Sequence, residues 1–267
     1  MHGDIASLCH HGHTQNRCAL LRLHREIFHS AAEPHRLRAK YRGQWAGAAH
    51  PSFVALLGDE LVGFYGLLPQ RLRQGGKTLL ALQATDVMVA RGHQQHGLHR
   101  QLCAAGLNQA RSNNVSLVYG FANELSHRVY QSLGWHTHQL EMFVLQVVTL
   151  PIAPLAARTG VLRQFWERAF HRACRPHFGP RETFRNSAAA TNLMHVDYAA
   201  DYLAYRCFSP NHVLDFGSAR AWVRGGAQLW VGDLNAPDDD AHDRAIADLV
   251  RLARRLGHDQ HVGELVL

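Results

Sequence analysis

A polar stretch with one glycine follows an apolar segment in the first half of the chain and is suited to holding an anion. It consists of Gln94, Gln95, His96, Gly97, Leu98 and His99. Gly97 has no Cβ, so a phosphate can come close to the backbone there. A helical pattern begins at Leu98, and the free N–H groups of a helix start favour negative charge. Glycine-containing turns between strands and helices are common, so this loop needs a second signal beside it.

The second signal is a tyrosine on a short helix behind the next apolar run. That stretch consists of Gly120, Phe121, Ala122, Asn123, Glu124, Leu125, Ser126, Tyr130, Leu133, Gly134 and Trp135. Asn123 can cap the helix, and Tyr130 can reach a group bound between the two preceding strands. Each residue also has a structural interpretation. Tyr130 can pack its ring in the core, Asn123 can be a cap alone, and Glu124 can serve the helix dipole.

Asp86 is a charged residue in the middle of an apolar strand pattern, where aspartate is disfavoured. A carboxylate in such a position needs a partner or a ligand. Asp86 is therefore a candidate both for chemistry and for a structural hydrogen bond.

Apolar periodicity predicts the elements that position these groups. Hairpin turns are expected at Gly58 and at Gly75 with Gly76, and Pro69 is expected to end the strand of the first hairpin. A strand over residues 84–90 has Val87 and Val89 on one face and Met88 on the other.

The pattern then continues with a helix from Leu98, a strand over residues 115–121, the short helix and a strand over 135–148. A strand–helix–strand unit favours a right-handed parallel crossover. Combined with antiparallel hairpins, it predicts an α/β fold with a mixed sheet.

Pro151 and Pro154 mark a predicted domain boundary, with domains over residues 1–150 and 151–267. The second part is predicted to be α+β. It starts with a basic amphipathic helix over 155–174, and the residues expected along its apolar side are Leu162, Phe165, Trp166 and Ala169. Further helices are predicted over 197–208 and 245–256, and strands over 219–224, 228–234 and 262–267.

Together the loop and the tyrosine helix resemble the GNAT superfamily of N-acetyltransferases. The family's phosphate loop has the form Gln/Arg-x-x-Gly-x-Gly/Ala, which the run from Gln94 to His99 follows except that His99 replaces Gly or Ala. The pattern Asn…Ala…Tyr…Gly-Phe is matched by Asn123, Ser126, Tyr130 and Gly134-Trp135. The run Gly120–Glu124 with Asp86 upstream resembles GNAT-like proteins of polysaccharide and surface-glycan biosynthesis.

The resemblance implies an opening between the strands over 84–90 and 115–121. The acyl-CoA pantetheine would pair with the backbone near Val87 and Val89, and the Gln94–His99 loop would hold the pyrophosphate. Asn123 and Ser126 would also border the bound acyl-CoA. Tyr130 would lie near the thioester sulfur as the acid that protonates the departing thiolate.

Acyl transfer also needs a general base, because an amine with a pKa near 10 is mostly protonated at neutral pH. Glu124 or Asp86, with His127 behind them, are the candidates. The acceptor implied is a small-molecule primary amine, with an amino sugar or nucleotide-linked amino sugar first. The C-terminal half would be a reduced second GNAT-like domain that contributes to the acceptor site.

Composition indicates the class of protein and the compartment to expect. The chain of 267 residues is 46% hydrophobic and 18% charged, which is ordinary globular composition. The sequence contains no apolar run of roughly 18 or more residues, so no membrane span is expected. The polar start lacks the apolar centre of a signal peptide. The 5 cysteines are scattered, so a reducing, cytoplasmic setting is expected.

The formal net charge of +7 favours anionic partners such as CoA phosphates, nucleotide-sugars, acidic lipids or nucleic acid. No DNA- or RNA-binding motif supports a nucleic-acid partner. The basic helix over 155–174 can touch an anionic membrane, or can dock its apolar side on a sheet. The group Cys9, His10, His11, His13 and Cys18 lacks zinc-finger spacing, so no metal is expected.

Two alternatives remain open from the sequence. Tandem versions of the architecture include transferases that use aminoacyl-tRNA, although a loop of the Gln94–His99 kind serves CoA. A degenerate, non-catalytic GNAT module is the other alternative. It is favoured by His99 and opposed by the joint presence of Asn123 and Tyr130.

Overall fold

A computed structural model describes residues 4–7, 14–29, 34–41, 52–138, 142–145, 152, 160–206, 211–225, 228–257 and 262–265. The chain divides into two compact units, Met1–Thr137 with Met194–Asp197, and His138–Leu193 with Tyr198–Leu267. The segment from Cys9 to His13 and most of the predicted strand 135–148 lie outside the described residues.

The first unit contains a mixed sheet between two layers of helices. Its strands are β1 (Asp4–Ser7), β2 (Phe53–Leu57), β3 (Glu60–Gln74), β4 (Lys77–Val89), β5 (Leu117–Gly120) and β7 (His195–Val196). Its helices are α1 (Thr14–Phe28), α2 (Pro34–Lys40), α3 (Leu98–Ser112) and α4 (Glu124–Ser132). The strand order is β1-β2-β3-β4-β5, with β7 beside β3. The pairs are antiparallel except β4–β5, which is parallel as predicted.

The two faces of this sheet bury different side chains of β4. Met88 packs with Leu20 and Leu23 of α1 and with Leu37 of α2. Val87 and Val89 pack on the other face, in the cluster that contains the α3 side chains Leu98, Leu102 and Cys103. The predicted alternation of Val87 and Val89 against Met88 is confirmed.

Pro69 does not end a strand, as the sequence had suggested, but lies inside β3 opposite Leu82. The Leu67 N–H donates to Ser52 Oγ, on the side of β3 where β2 runs. Because β2 begins at Phe53 opposite Tyr65, Pro69 faces that side beyond the end of β2. A proline is tolerated where no ladder bond is needed.

The described residues of the second unit form a five-stranded sheet and three α-helices. Its strands are β6 (Met142–Leu145), β8 (Asn211–Asp215), β9 (Arg220–Arg224), β10 (Leu229–Asn235) and β11 (Val262–Leu265). Its helices are α5 (Gly160–Cys174), α6 (Ala200–Tyr205) and α7 (Asp239–Arg255). The strand order is β6-β11-β10-β9-β8, and only β10–β11 is parallel. The mixed α/β fold with a C-terminal α+β part is confirmed.

Helix α5 buries a different stripe from the predicted one. Trp166, Phe170 and Cys174 belong to the second core, and Trp166 Nε1 donates to the Leu256 carbonyl at 3.1 Å. Leu162 and Phe165 are 52% and 61% exposed. In the part of the chain that the structure describes, no helix is long and apolar enough to span a membrane.

Candidate active site

The parallel strands β4 and β5 separate near their carboxyl ends. They pair from Ala81–Leu117 to Ala84–Gly120. Strand β4 then continues to Val89, whereas β5 ends at Gly120. The last five residues of β4 therefore have no described strand beside them on the β5 side. An open strand edge of this kind can pair its peptide groups with an extended ligand.

A bulge lies where the strands separate. Phe64 pairs with Met88 and Gly66 with Thr85, so Asp86 and Val87 both face Tyr65. Asp86 has a φ of 47°, in the left-handed region. An extra residue in one strand bends it and increases its local twist, so β4 bends just beyond its last pair with β5.

The peptide groups of Val89 face the opening. The Ala90 N–H donates to the Val62 carbonyl of β3 at 2.8 Å. Since consecutive residues of a strand face opposite sides, Val89 faces away from β3. Its carbonyl accepts a hydrogen bond from Gln94 Nε2 at 3.0 Å. The Gln94 side chain thus joins the loop to the strand edge that was predicted to hold pantetheine.

The loop before α3 presents an uncapped helix start. Gln95 and Gly97 have φ values of 66° and 77°. Gly97 is the N-cap residue, and no side chain caps the helix. The bond from Gln101 N–H to the Gly97 carbonyl opens the helix. The N–H groups of Leu98, His99 and Arg100 therefore lack a helical carbonyl.

This helix start meets the requirements of an anion site. The side chains of Gln94, Gln95 and His96 are exposed. A Cβ added at Gly97 would meet no atom within 4 Å. The left-handed backbone at residue 97 favours glycine, and the space around it leaves the amides of the helix start open to an anion.

Asn123 and Ser126 form a capping box at the start of α4. Asn123 Oδ1 accepts from the Ser126 N–H at 2.9 Å, and Ser126 Oγ accepts from the Asn123 N–H at 3.0 Å. The family-like pair Asn123 and Ser126 therefore has a local structural role, which the sequence had offered as the simpler alternative for Asn123.

Changing Asn123 to Ala is expected to destabilise the first unit by about 1 kcal/mol, because the α4 start loses its cap. A melting temperature about 2–4 °C lower is expected in a thermal unfolding scan. Asn123→Ser keeps an oxygen that can cap, and should restore most of the loss. Gln131→Ala, at an exposed position of the same helix, is the matched control. Equal melting of the Asn123→Ala and Gln131→Ala proteins would contradict the capping role.

Tyr130 is held in a mostly aromatic environment. It is 6% exposed. Its ring centroid lies 4.6 Å from that of Trp135 and 5.7 Å from that of His99. Burial, reinforced by the neighbouring Cys103 thiol, raises the pKa of the Tyr130 hydroxyl. A phenol that stays protonated across the neutral range can donate a proton or a hydrogen bond but cannot serve as a resting base.

Tyr65 and Cys103 surround the Tyr130 hydroxyl, and neither was predicted. Burial is also the largest cause that raises the pKa values of Tyr65 and Cys103, the latter to about 12. The Tyr65 hydroxyl lies close enough to Tyr130 and Cys103 to affect their pKa values, without the geometry of a hydrogen bond to either. Cys103 follows His99 by four residues, so the spacing on α3 could have indicated it. Nothing in the sequence indicates Tyr65.

His99 turns its ring towards Tyr130. The two rings meet edge to face at an angle of 84°. Its Nε2 is buried without a hydrogen-bond partner, and burial lowers the pKa of the imidazole. The neutral imidazole ring therefore lies beneath the loop and borders Tyr130. At this position the family pattern has Gly or Ala, whose side chain is at most a methyl group.

Asp86 is placed apart from these groups, on the face of the sheet that carries α2. Its Oδ2 accepts from Lys40 Nζ and from the Tyr41 hydroxyl, both at 2.6 Å. Burial alone would raise the pKa of the Asp86 carboxyl, but Lys40 and Tyr41, with His24 nearby, outweigh it and lower the pKa. A carboxylate held in this way is a weak proton acceptor.

Glu124 is the other predicted base. It is exposed and occupies the first turn of α4, directly after β5 ends at the opening. The structure thus brings together Val87, Val89, the loop, His99 and Tyr130 on the α3 side of the sheet, with Glu124 at the end of β5 and Asp86 on the opposite face.

Part of this chain matches a known protein family. The model of the family described as "Acetyltransferase (GNAT) domain" matches residues 15–138, slightly under half of the chain. No curated protein matches the sequence.

Solved structures of similar fold cover about half of the chain. An acetyltransferase from Trypanosoma brucei is 20% identical, with a TM-score of 0.43 over 52% of this chain and 96% of its own. An aminoglycoside acetyltransferase from an uncultured soil metagenomic sample is 18% identical, with a TM-score of 0.44 over 54% and 96%. Glucosamine-6-phosphate N-acetyltransferase from Arabidopsis thaliana is 12% identical, with a TM-score of 0.44 over 54% and 97%.

The family match spans the divergent strands, the Gln94–His99 loop and the tyrosine helix. Residues 15–138 therefore carry the chain's similarity to the GNAT acetyltransferase domain.

Proposed function

We propose that this chain is an acyl-CoA-dependent N-acyltransferase that moves an acetyl or other short acyl group to a primary amine. The observation that carries the proposal is the open edge of β4 beside an uncapped helix start, with Tyr130 behind it. The open strand edge suits an extended pantetheine chain, and the helix start suits a diphosphate. The acyl-CoA is a co-substrate, and the proposed reaction needs no metal.

In the proposed reaction the neutral amine attacks the thioester carbonyl, and a C–N bond forms while the C–S bond breaks. The Val89 N–H faces the opening and is the candidate donor to the tetrahedral oxyanion. Tyr130 gives its proton to the departing CoA thiolate. The proton released by the amine passes to Glu124 through water, and returns to Tyr130 after product release. Protons and electrons balance without any other reactant.

Glu124 is the better of the two candidate bases. It is exposed and lies beside the opening. Asp86 is already bound by Lys40 and Tyr41 and cannot take a proton without weakening both interactions. His127, one turn further along α4, is the reserve candidate.

The charged residues near the opening indicate what charge the acceptor amine should carry. The two helices that follow the loop carry Arg100, Arg111 and Arg128, and Arg91 lies just before the loop. Glu124 is the acidic residue among the described positions from 87 to 138. A polycationic amine would be repelled by such a surface. An amino sugar with a phosphate or a nucleotide diphosphate is therefore the acceptor class that we place first.

The C-terminal unit repeats the succession of three antiparallel strands, a helix and a parallel strand, with β8, β9, β10, α7 and β11. This order supports a reduced second GNAT-like domain. Its helix start differs from that of α3, because Asp238 caps it and Asp239 and Asp240 occupy the first turn. Negative charge there disfavours a phosphate, so one acyl-CoA per chain is expected.

A ligand-binding assay tests the proposal directly. Acetyl-CoA and free CoA should raise the melting temperature of the first unit. At a ligand concentration of about 100 times Kd the stabilisation is about 2.7 kcal/mol, equivalent to several degrees. A series of longer acyl-CoAs should give the preferred chain length, and calorimetry should give a stoichiometry near one. No shift with any CoA compound would refute the proposal.

The same binding assay repeated with tRNA, together with a measurement of thiol release, separates the alternatives. An aminoacyl-tRNA-dependent transferase would bind tRNA and ignore CoA. A non-catalytic module would bind acyl-CoA without releasing free thiol in the presence of any amine. The non-catalytic alternative draws on one observation, namely that the His99 ring fills space beside Tyr130 that the family pattern leaves open.

A further inference from the structure

Asp86 adopts a backbone conformation that side chains rarely take inside a strand. Its φ is 47°, in the left-handed region where glycine is the default residue and asparagine and aspartate are tolerated. Such conformations persist only when the surroundings impose them, and they cluster at functional sites. The question is which contacts impose this one.

Two residues from another part of the chain, Lys40 and Tyr41, hold the Asp86 side chain. Lys40 Nζ lies 2.6 Å from Oδ2 and 3.1 Å from Thr85 Oγ1. The Tyr41 hydroxyl donates to the same Oδ2 at 2.6 Å. The Lys40 and Asp86 side chains are mostly buried, at 19% and 17% exposed.

Gly66 makes room for this contact. A Cβ on Gly66 would collide with the Tyr41 hydroxyl and would lie 2.8 Å from the Thr85 carbonyl oxygen. Tyr41 therefore reaches Asp86 across the bare backbone of β3. Its ring packs edge to face on Phe64, with centroids 5.0 Å apart. The contact thus involves α2, the residue after it, β3 and β4.

Asp86 lies in β4 just beyond the part that pairs with β5, where its contacts can affect the open segment. The last pair between β4 and β5 is Ala84–Gly120. Asp86 comes two residues later, and the open segment with Val87 and Val89 follows directly. Any change of the Asp86 backbone would rotate the peptide groups of that segment.

We propose that Lys40, Tyr41 and Gly66 lock Asp86 in its left-handed conformation, and that this lock orients the open segment of β4 for acyl-CoA. The identity of the ligand as acyl-CoA rests on the proposed function. The contacts that hold Asp86 do not depend on it. Asp86 is then a positioning residue that acts through the backbone of Val87 and Val89, and its carboxylate takes no proton during the reaction.

Three substitutions of Asp86 separate a backbone role from that of a base. All three remove the carboxylate, but Asn and Gly tolerate positive φ, whereas Ala does not. We expect Asp86→Asn, which keeps an oxygen for the Tyr41 hydroxyl and tolerates positive φ, to keep kcat and the acyl-CoA KM within about tenfold of wild type. Asp86→Ala, which loses both the contacts and the tolerance of positive φ, should raise that KM by more than tenfold. Asp86→Gly tolerates positive φ but gives Lys40 and Tyr41 nothing to hold, so its KM should lie between those of the other two. The pH dependence of kcat should be the same in wild type and Asp86→Asn. Equal loss in all three, or no loss in any, would overturn the proposal.

Amide hydrogen exchange tests the lock without any ligand. Asp86→Ala and Gly66→Ala should speed exchange at Met88 and Ala90, whose N–H groups face β3, relative to wild type, while Asp86→Asn should not. Gly92→Ala is the control, since a Cβ there meets nothing within 4 Å. Unchanged exchange in folded Asp86→Ala protein would refute the lock. Faster exchange in a protein that binds no CoA compound would keep the lock and reject the proposed function.

Discussion

Replacing Tyr130 with phenylalanine is expected to lower kcat by about a hundredfold, within the usual contribution of a positioned acid. The Kd of acyl-CoA should change little, because the ring still packs between Trp135 and His99. The reason is chemical: without the hydroxyl, the departing thiolate has no proton donor. Steady-state kinetics with a thiol-detecting reagent, together with calorimetry for acyl-CoA, give both quantities.

Removing a buried hydroxyl also carries a structural cost, and a control measures it. Tyr202 belongs to the second unit and is 6% exposed, as Tyr130 is. Tyr202→Phe therefore shows what the loss of the hydroxyl of an equally buried tyrosine does to melting. Tyr65→Phe removes a hydroxyl close to that of Tyr130 and should lower kcat less than Tyr130→Phe does. A rate constant for Tyr130→Phe equal to that of wild type would remove Tyr130 from the acid role.

Changing Gly97 to valine is expected to weaken acyl-CoA binding. A β-branched residue disfavours the φ of 77° at this position, so the loop would shift and its amides would no longer converge. Loss of one hydrogen bond to a charged group costs about 1.5–3 kcal/mol, equivalent to roughly a ten- to hundredfold higher Kd. Isothermal calorimetry with free CoA measures it without turnover.

Two further variants identify the cause. Gly97→Asn tolerates positive φ but adds a Cβ, so it isolates crowding of the phosphate from backbone strain. Gly92 lies just before the loop, at a position without positive φ and with open space around it, so Gly92→Val is the matched control. It should bind CoA as wild type does. Equal CoA affinity of wild type and Gly97→Val would refute the assignment of the loop to pyrophosphate.

Local patterns in the sequence predicted the framework of the site well. The glycine pair at residues 75 and 76 predicted the β3–β4 turn, and the change from strand to helix period predicted the loop and α3. The parallel β4–β5 pair followed from the helix between them. These features depend on residues close in the chain, so a single sequence contains their signals.

Features that depend on distant residues were not predictable. Asp86 looked like a site residue because it is charged, yet its partners Lys40 and Tyr41 are 46 and 45 residues away. Tyr65 had no signal, although it lies beside Tyr130. The buried face of α5 was mistaken for the same reason, since the bond from Trp166 to Leu256 spans 90 residues.

The site roles of Val87, Val89, the Gln94–His99 loop, Glu124 and Tyr130 stay predictions. The same holds for the boundary at residue 150 and for a contribution of the second unit to the acceptor site. The structure supplies the arrangement on which each experiment acts, and residues 15–138 match the model of the GNAT acetyltransferase domain.

The two sheets exchange short pieces of chain, and this affects how the protein can be divided. Strand β6 precedes residue 150 yet belongs to the sheet of the second unit, and β7 follows it yet pairs with β3. A cut at residue 150 would deprive each product of an edge strand and expose its neighbour's unpaired amides. Separately produced halves should therefore aggregate, and co-translational folding of the first sheet cannot finish until the ribosome has passed residue 196.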